Sequence, residues 1–314
     1  MEGIISSSGE KINDLQQEYD NLMKTSEHIN LSETHTTESI TLEVEQFGDN
    51  NTTYKYYING QLVSTQTGTT FTTNDISLES KDPYIPSGFT HTEGTVDTGY
   101  VIKDTSIGNE FVWVPVKGRT YTAYVVAEDS NGNLGRSDEL IIDISELTRK
   151  SKVPGYEDIV LTNWKEEEGN TNDKKSIAYF KHSVAVNCGF YMGRYEMGMP
   201  GQKSGEAPTL EIGYGTQNIS GVPVCVGKVL PWINIDWSIA KANLENMYNG
   251  EVQSAMMNSY ARTTTINWLQ DTGNDLSTPE NFGNYYGGNE FYFKGRSYAA
   301  LFRSNEHIEL YQYI

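Results

Sequence analysis

The sequence predicts an α+β protein, in which a β-rich first half precedes a half that mixes helices and strands. Segments of alternating polar and apolar residues between positions 38 and 147 are typical of short strands joined by turns. Later segments at 176–186, 237–248 and 259–273 are predicted to be helical. The 21 tyrosines also favour sheets, because aromatic side chains are enriched in strands. At 314 residues the chain is long enough for one large domain or for two to three smaller ones.

An N-terminal helix is predicted within residues 1–31, where it would form a stalk. Apolar residues spaced three and four positions apart mark one face of this helix: Ile12, Leu15, Tyr19 and Leu22. The pattern is too short for a coiled coil of three or more heptads. The polar segment LSETHTTES at 31–39 is interpreted as a linker to the first domain.

Residues 38–80 and 117–147 are predicted to form an all-β sandwich. YKYYI and QLVST are separated only by Asn59-Gly60, a residue pair typical of two-residue hairpin turns. A second pair of strand segments, RTYTAYVVAED and DELIIDI, brackets the turn SNGNLG. Through YKYYINGQLV and TYTAYVVAEDSNGNLGRS the region resembles fibronectin type III and related immunoglobulin-like domains of bacterial surface proteins.

The segment between the two halves of this sandwich, residues 83–116, fits a sandwich poorly. Its run NEFVWVPV is predicted to be a buried strand, in which Pro115 must lie at an edge, an end or a bulge. We interpret this segment as the opening of a second domain, so that the two domains are interleaved in sequence.

The decapeptide GFYMGRYEMG at 189–198 is predicted to contain a strand of this second domain. Because neighbouring residues such as Phe190 and Tyr191 point to opposite sides of a strand, one face is expected to be packed and the other freer. Further along, Asp236 is placed to cap a helix.

The charge balance disfavours two classes of partner. With 42 acidic against 23 basic residues the net charge is −19, whereas duplex nucleic acids and anionic membranes attract basic surfaces. No stretch of the sequence approaches the length and apolarity of a membrane span.

Motifs that carry chemistry are scarce. Cys188 and Cys225 lie in apolar strand contexts and are expected to be inert core thiols, although a bridge between them stays open. The five histidines form no pair at metal-ligand spacing, and no nucleophile, phosphate-loop or zinc motif occurs. We therefore predict no catalytic residue, no metal ligand and no cofactor; calcium at an acidic or Asn-rich loop stays open without a motif.

The order of four sequence blocks resembles a known family. The blocks are FVWVPV (111–116), GFYMGRYEMG (189–198), PWINIDWSIAKANLENMY (231–248) and SYARTTTINWLQDTG (259–273). In this order they resemble the formylglycine-generating-enzyme-like branch of the C-type lectin fold, the sulfatase-modifying-factor family. The second and third blocks are the specific part. The resemblance covers residues 83–116 and 177–314 and implies a C-type lectin-like domain there.

Two departures from the family's pattern bear on function. The family's GNVWEW core strand is missing and its ending is distorted, so the domain is interpreted as C-terminally incomplete or diverged. The family's enzymes use a cysteine pair near the C-terminus for copper-dependent oxidation, but no cysteine follows Cys225 here. The resemblance therefore implies a member that is not an enzyme.

A binding function is the remaining expectation. The segment NFGNYYGGNEFYFKGRSY at 281–298 has the Tyr-, Asn- and Gly-rich composition of an adaptable recognition surface. The predicted ligand-binding residues are Trp268, Asn284, Tyr285, Tyr286, Tyr292 and Arg296. Family members without the catalytic cysteines are often ligand-binding proteins, which implies a bacterial or phage surface protein that binds a protein or glycan. Its expected location is extracellular or on the cell surface, with the export signal outside this chain; a phage particle and the cytoplasm are the alternatives.

Two alternative functions stay open. One is a metal-dependent oxidoreductase of the same superfamily, which requires paired thiols or a triad of His and carboxylate ligands. The other is a structural module without a ligand, in which the aromatic residues of the tail pack the fold.

Overall fold

The computed structural model describes residues 26–152, 171–201, 203, 219–229, 232, 235–248, 250–273 and 312–313. Over these residues the protein is mostly β-sheet with three helices, which confirms the predicted α+β class. The chain divides into two compact units. Unit 1 comprises Met1–Leu78 and Arg119–Ile144, and unit 2 comprises Glu79–Gly118 and Ser145–Ile314, so both are discontinuous in sequence.

Short strands make up most of the regular secondary structure among the described residues. In chain order the strands are β1 (Glu27–His28), β2 (Leu31–His35), β3 (Ile40–Val44), β4 (Thr53–Ile58), β5 (Gln61–Gln66), β6 (Thr70–Thr73), β7 (Phe89–Glu93), β8 (Val101–Asp104), β9 (Glu110–Pro115), β10 (Gly118–Glu128), β11 (Leu134–Arg136), β12 (Leu140–Ser145), β13 (Gly189–Gly193), β14 (Ala255–Met256) and β15 (Gln312–Tyr313). The helices are α1 (Thr171–Asn187), α2 (Trp237–Glu245) and α3 (Ser259–Asp271).

The described part of unit 1 consists of two sheets around one apolar core. β2, β3 and β6 form an antiparallel three-stranded sheet. β1, β11, β10, β4 and β5 lie side by side in the second sheet, where β12 also pairs with β10. Both sheets contribute fully buried side chains to the core, among them Ile40, Leu42, Tyr54, Tyr56, Val125 and Ile142. Burial of such side chains is the main favourable contribution to folding of this unit.

The hairpin turn predicted at Asn59-Gly60 is confirmed. Asn59 and Gly60 have φ values of 49° and 73°, the left-handed conformation that favoured two-residue hairpin turns require. β4 and β5 pair in antiparallel fashion on either side of this turn, with Tyr57 opposite Leu62. A register shift at Tyr56/Tyr57 marks a bulge in this pair of strands.

A tyrosine near the start of β10 is hydrogen-bonded to the segment that follows β6. The Tyr121 hydroxyl donates to the carbonyl oxygen of Ser77 at 2.9 Å and accepts from its backbone N–H at 2.8 Å. The residues between them include the whole first segment of unit 2, Glu79–Gly118. These bonds therefore join the two sequence segments from which unit 1 is built.

Unit 2 is organised around the antiparallel sheet β13–β9–β8–β7, which has an apolar cluster on each side. One cluster contains Ile102, Phe111, Trp113 and Tyr191 of the sheet together with Ala240 and Leu244 of α2. The other contains Val114, Phe190 and Met192 of the sheet together with Phe180 and Val184 of α1 and Ala261 of α3. The two-residue strands β14 and β15 form a separate antiparallel pair.

The prediction of one freer face on the 189–198 strand is wrong. All five residues of β13 are buried, because α2 covers one side of the sheet while α1 and α3 cover the other. Gly189 allows the closest approach on this strand: a Cβ atom there would lie 2.1 Å from the indole of Trp113.

Two predictions at the N-terminal side also change. The predicted linker at 31–39 contains β2, an edge strand whose Leu31 packs against the unit 1 core. Most of the helix predicted for 1–31 lies outside the described residues, and its described end contains β1 at Glu27–His28. The helix therefore does not reach residue 31.

The helices of unit 2 follow the sequence predictions closely. α2 begins directly after Asp236, although the carboxylate of Asp236 makes no capping hydrogen bond. α3 begins after Asn258, whose side chain accepts a hydrogen bond from the backbone N–H of Ala261 at 2.9 Å. None of the helices in the described part is long and apolar enough to cross a membrane.

Candidate functional site

A cluster of ionisable and polar side chains in unit 2 lies where the β8–β9 hairpin meets the segment around Cys225. We call these residues the Asn109 cluster: Asp104, Asn109, Glu110, Arg194, Tyr195, Cys225 and Tyr248. Asn109 is fully buried and lies directly before β9. Its side-chain oxygen accepts from the backbone N–H of Cys225 at 2.8 Å, and its Nδ2 donates to the Tyr248 hydroxyl at 2.9 Å.

Asp104 continues this chain of hydrogen bonds at the end of β8. Its Oδ2 accepts from the Tyr248 hydroxyl at 2.6 Å. Its Oδ1 accepts from the hydroxyl and backbone N–H of Ser106 and from the N–H of Ile107, which closes the β8–β9 turn. Burial alone would raise the pKa of Asp104, but these hydrogen bonds outweigh it and the pKa is lowered. Burial, together with the hydrogen bond to this carboxylate, raises the pKa of Tyr248.

Glu110, the first residue of β9, is held between two cations. Its Oε1 accepts from Lys103 Nζ at 3.0 Å, and its Oε2 accepts from the Arg194 guanidinium at 2.8 Å and from the Tyr195 hydroxyl at 3.3 Å. Arg194 also forms an ion pair with Glu93. Burial works to raise the pKa of Glu110, but the bonds from Lys103 and Arg194 outweigh it and lower the pKa.

Cys225 lies at the centre of the cluster and is completely buried. Its thiol has one proton to donate and two carbonyl oxygens within reach, that of Glu110 at 3.2 Å and that of Tyr195 at 3.3 Å from Sγ. Burial raises the pKa of the Cys225 thiol to about 12. The backbone around it is also paired, since Glu110 N–H donates to the Cys225 carbonyl at 2.8 Å.

The protonation states and hydrogen bonds of Cys225 and Glu110 fit a structural role better than a catalytic one. A nucleophilic cysteine must be a thiolate, whereas the Cys225 thiol stays protonated at neutral pH. A general base needs a pKa close to the working pH and an oxygen that can reach substrate. Glu110 has a lowered pKa, and both its oxygens already accept hydrogen bonds. The Asn109 cluster therefore joins β8, β9, the Cys225 segment and the segment after α2 through hydrogen bonds.

The second cysteine lies at the other end of β9. Cys188 follows α1 directly and has a φ of 59°, and its backbone N–H donates to the Val184 carbonyl at 2.7 Å as a left-handed helix cap. Cys188 is buried, and neither Cys188 nor Cys225 forms a disulfide. The prediction of buried core thiols is confirmed for both.

Of the residues predicted to bind a ligand, the structure describes only Trp268. This residue lies on α3, is half-buried and packs against the cluster formed by Val114 and Phe190. The tip of its indole lies 3.8 Å from the position that a Cβ atom on Gly99 would take. Five of the predicted ligand-binding residues lie outside the described residues: Asn284, Tyr285, Tyr286, Tyr292 and Arg296.

The sequence reasoning missed the Asn109 cluster itself. The sequence predicts only a buried strand at NEFVWVPV, the run that Asn109 opens, and the partners Cys225 and Tyr248 lie 116 and 139 positions away. A local sequence pattern cannot predict contacts between residues that are more than 100 positions apart. Across the described ranges, no three His, Cys, Asp or Glu side chains are grouped so that they could hold a metal ion.

Comparison with known proteins adds no assignment. The sequence matches no protein-family model, and none of the curated proteins is significantly similar to it.

Proposed function

We propose that the chain is a non-enzymatic ligand-binding protein of a bacterial or phage surface. In this proposal, unit 1 is an immunoglobulin-like sandwich and unit 2 is a C-type lectin-like domain related to formylglycine-generating enzymes. The observation that carries the proposal is that the potentially reactive side chains of unit 2 are already hydrogen-bonded within the fold. Cys225, Glu110 and Asp104 each form hydrogen bonds that hold the fold together. Recognition by surface side chains is the function that such a scaffold supports best.

The hydrogen bonds of Tyr121 support the immunoglobulin-like assignment of unit 1. Many such sandwiches have a tyrosine at the start of a late strand whose hydroxyl bonds to backbone a few residues upstream. Ser77 lies 44 positions before Tyr121, but Glu79–Gly118 belongs to unit 2. Without those forty residues, Ser77 would stand four positions before Tyr121. The crossing of the chain between the two sheets after β5 fits the same architecture.

The positions of the four sequence blocks support the lectin-like assignment of unit 2. The first and second blocks form β9 and β13, which are antiparallel neighbours with Val114 opposite Phe190. The third block contains α2 and the fourth forms α3. α2 packs on one side of the sheet and α3 on the other. All four blocks therefore form or pack on one sheet, as blocks of a single domain would.

The alternative of a metal-dependent oxidoreductase has no support among the described residues. Copper chemistry of this superfamily requires paired thiolates, whereas Cys225 and Cys188 are separately buried and unbridged. The raised pKa of Cys225 favours a protonated thiol over a thiolate ligand.

Two measurements on the purified chain test the proposal. Metal analysis is expected to find no stoichiometric copper or iron, and finding either would contradict a non-enzymatic function. A screen against immobilised proteins and glycans is expected to yield a specific ligand. The double variant Tyr285→Ala/Tyr286→Ala tests the predicted tail, with Tyr179→Ala as the matched control for loss of an exposed tyrosine in unit 2. A ligand that binds both variants equally would remove the tail assignment.

A further inference from the structure

The outer face of the larger sheet in unit 1 carries stacked tyrosines and two of the three Lys and Arg residues described in that unit. Two rows of side chains cross it on strands β5, β4, β10 and β11. The Tyr57/Tyr124 face consists of Leu62, Tyr57 and Tyr124 in one row and Thr65, Lys55, Val126 and Arg136 in the other. These residues alternate with the buried ones that form the core, such as Tyr56 and Val125. The face ends at Glu128, the next residue of β10 on the same side.

Three planar groups are stacked along this face. The rings of Tyr57 and Tyr124 are nearly parallel, with an interplanar angle of 7° and a centroid distance of 4.6 Å. The Arg136 guanidinium lies over the Tyr124 ring, with its Cζ 4.3 Å from the ring centroid. Leu62 stands opposite Tyr57 on the edge strand β5 and is 52% exposed. Tyrosine and arginine are among the side chains most enriched in the energetic centres of protein interfaces.

Most of the described basic residues of unit 1 lie on the Tyr57/Tyr124 face. Its described residues carry twelve Asp and Glu but three Lys and Arg, namely Lys55, Arg119 and Arg136. Lys55 and Arg136 both lie on the Tyr57/Tyr124 face, one on each side of Val126. Arg119 lies elsewhere, where it donates to Ser77 Oγ at 3.0 Å.

Lys55 has no ion-pair partner within the described part of the chain, although acidic side chains outnumber basic ones fourfold in this unit. The Tyr57 hydroxyl likewise makes no hydrogen bond there. An unpaired ammonium beside an unbonded phenol, within an otherwise acidic unit, is complementary to an anionic partner.

We propose that the Tyr57/Tyr124 face docks an acidic patch of a partner protein, an inference that rests on the binding function proposed above. A carbohydrate would need exposed ring faces to stack on, whereas Tyr57 and Tyr124 stack on each other and Arg136 covers Tyr124. The face offers ring edges, the Tyr57 hydroxyl and the Lys55 ammonium, with the Arg136 guanidinium beside them, and such groups suit carboxylates. The bulge at Tyr56/Tyr57 disfavours addition of a regular strand to the β5 edge.

The test uses poly-L-glutamate as an acidic polypeptide and polygalacturonate as an acidic glycan. Because the chain carries a net charge of −19, it repels both polymers overall, and binding must come from a local basic patch. Fluorescence anisotropy at low ionic strength is expected to show binding of labelled poly-L-glutamate to the wild-type chain. Lys55→Gln and Arg136→Gln are each expected to weaken this binding about fivefold, as loss of one interfacial charge does.

Arg119→Gln is the matched control, since it removes the third cation of the same unit from a different position. It is expected to leave the affinity for poly-L-glutamate unchanged. Circular dichroism and urea unfolding verify that each variant is folded.

Four results would overturn the docking proposal. These are absence of poly-L-glutamate binding, equal binding by wild type and Lys55→Gln, binding of polygalacturonate alone, and self-association that Lys55→Gln abolishes in light scattering. The last two would assign the face to a glycan or to a second copy. Absence of poly-L-glutamate binding, together with a ligand from the protein and glycan screen that still binds Lys55→Gln, would leave the binding function intact and remove only this face. Failure of that screen to yield any ligand would instead count against the binding function.

Discussion

The hydroxyl of Tyr121 forms two hydrogen bonds with the backbone of Ser77, across an intervening segment that belongs to the other unit of the chain. The bonds close unit 1 where its two sequence segments meet. Unit 1 can therefore be interrupted in sequence by a segment of the other unit while Ser77 and Tyr121 stay hydrogen-bonded. We expect the two hydrogen bonds between Tyr121 and Ser77 to stabilise unit 1. Replacing Tyr121 with phenylalanine removes only the hydroxyl oxygen and so tests this contribution.

Tyr121→Phe is expected to destabilise unit 1 by about 1–3 kcal/mol, because the Ser77 N–H and carbonyl lose their partner while the ring stays in place. Urea unfolding followed by far-UV circular dichroism measures the change. Tyr57→Phe is the control: its hydroxyl makes no bond to described residues, and its free energy of unfolding should change by less than about 0.5 kcal/mol. Equal changes in the free energy of unfolding for the two substitutions would contradict a stabilising role of the Tyr121 hydroxyl.

Gly189→Ala is expected to destabilise unit 2 by about 3 kcal/mol, the upper range for overpacking a core. The added Cβ atom would meet the Trp113 indole at 2.1 Å on a strand covered on both sides. Gly250→Ala is the control, because no atom lies within 4 Å of its added Cβ. Urea unfolding followed by tryptophan fluorescence compares the two variants. Wild-type stability of Gly189→Ala would show that β13 is less tightly packed against Trp113 than these distances require.

Glu110 should make the stability of unit 2 sensitive to acid. Its pKa is lowered from the ordinary 4.5 in the folded protein, so its contribution is present above that value and is lost as the pH falls below it. Glu110→Gln should cost about 1 kcal/mol at neutral pH, a value reduced by partial exposure, and should flatten the loss of stability in acid. Urea unfolding over an acidic pH series measures both effects. Parallel pH profiles for wild type and variant would refute this assignment, and Lys117→Gln, which removes an exposed pair with Glu146, serves as the control.

The Cys225 thiol should be unreactive in the native protein. Its complete burial and its pKa of about 12 leave almost no thiolate at neutral pH, so Ellman's reagent is expected to modify it only after denaturation. The Cys188→Ala variant isolates Cys225 in this assay. Rapid modification of native Cys188→Ala would reopen the interpretation of Cys225 as a reactive group.

Local signals in the sequence predicted much of the fold. Asn59-Gly60 specified its hairpin because few residue pairs adopt two consecutive positive φ values, and Asp236 precedes a helix where expected. These features depend on residues next to one another in the chain. The burial of both faces of β13 could not be predicted in the same way, because it depends on helices that begin 18 positions before and 44 positions after its ends.

The functional surfaces were harder to predict for the same physical reason. Tyr57 and Tyr124 are distant in sequence, and only the register of β4 against β10 places them side by side. Asn109 and Cys225 likewise meet only in the folded chain. Trp268 was predicted as a ligand-binding residue because it could serve as an aromatic anchor, and in the structure it packs against the unit 2 sheet. Whether it also binds a ligand stays a prediction.

The salt dependence of poly-L-glutamate binding tests the central claim, recognition of an acidic partner by the Tyr57/Tyr124 face, most directly. The affinity of wild type and of Lys55→Gln/Arg136→Gln is measured by anisotropy over a series of salt concentrations. Wild-type affinity is expected to fall steeply with salt, because exposed charge pairs are screened, whereas the double variant should bind weakly with a flatter dependence. Identical affinities and identical slopes for the two proteins would contradict recognition by this face.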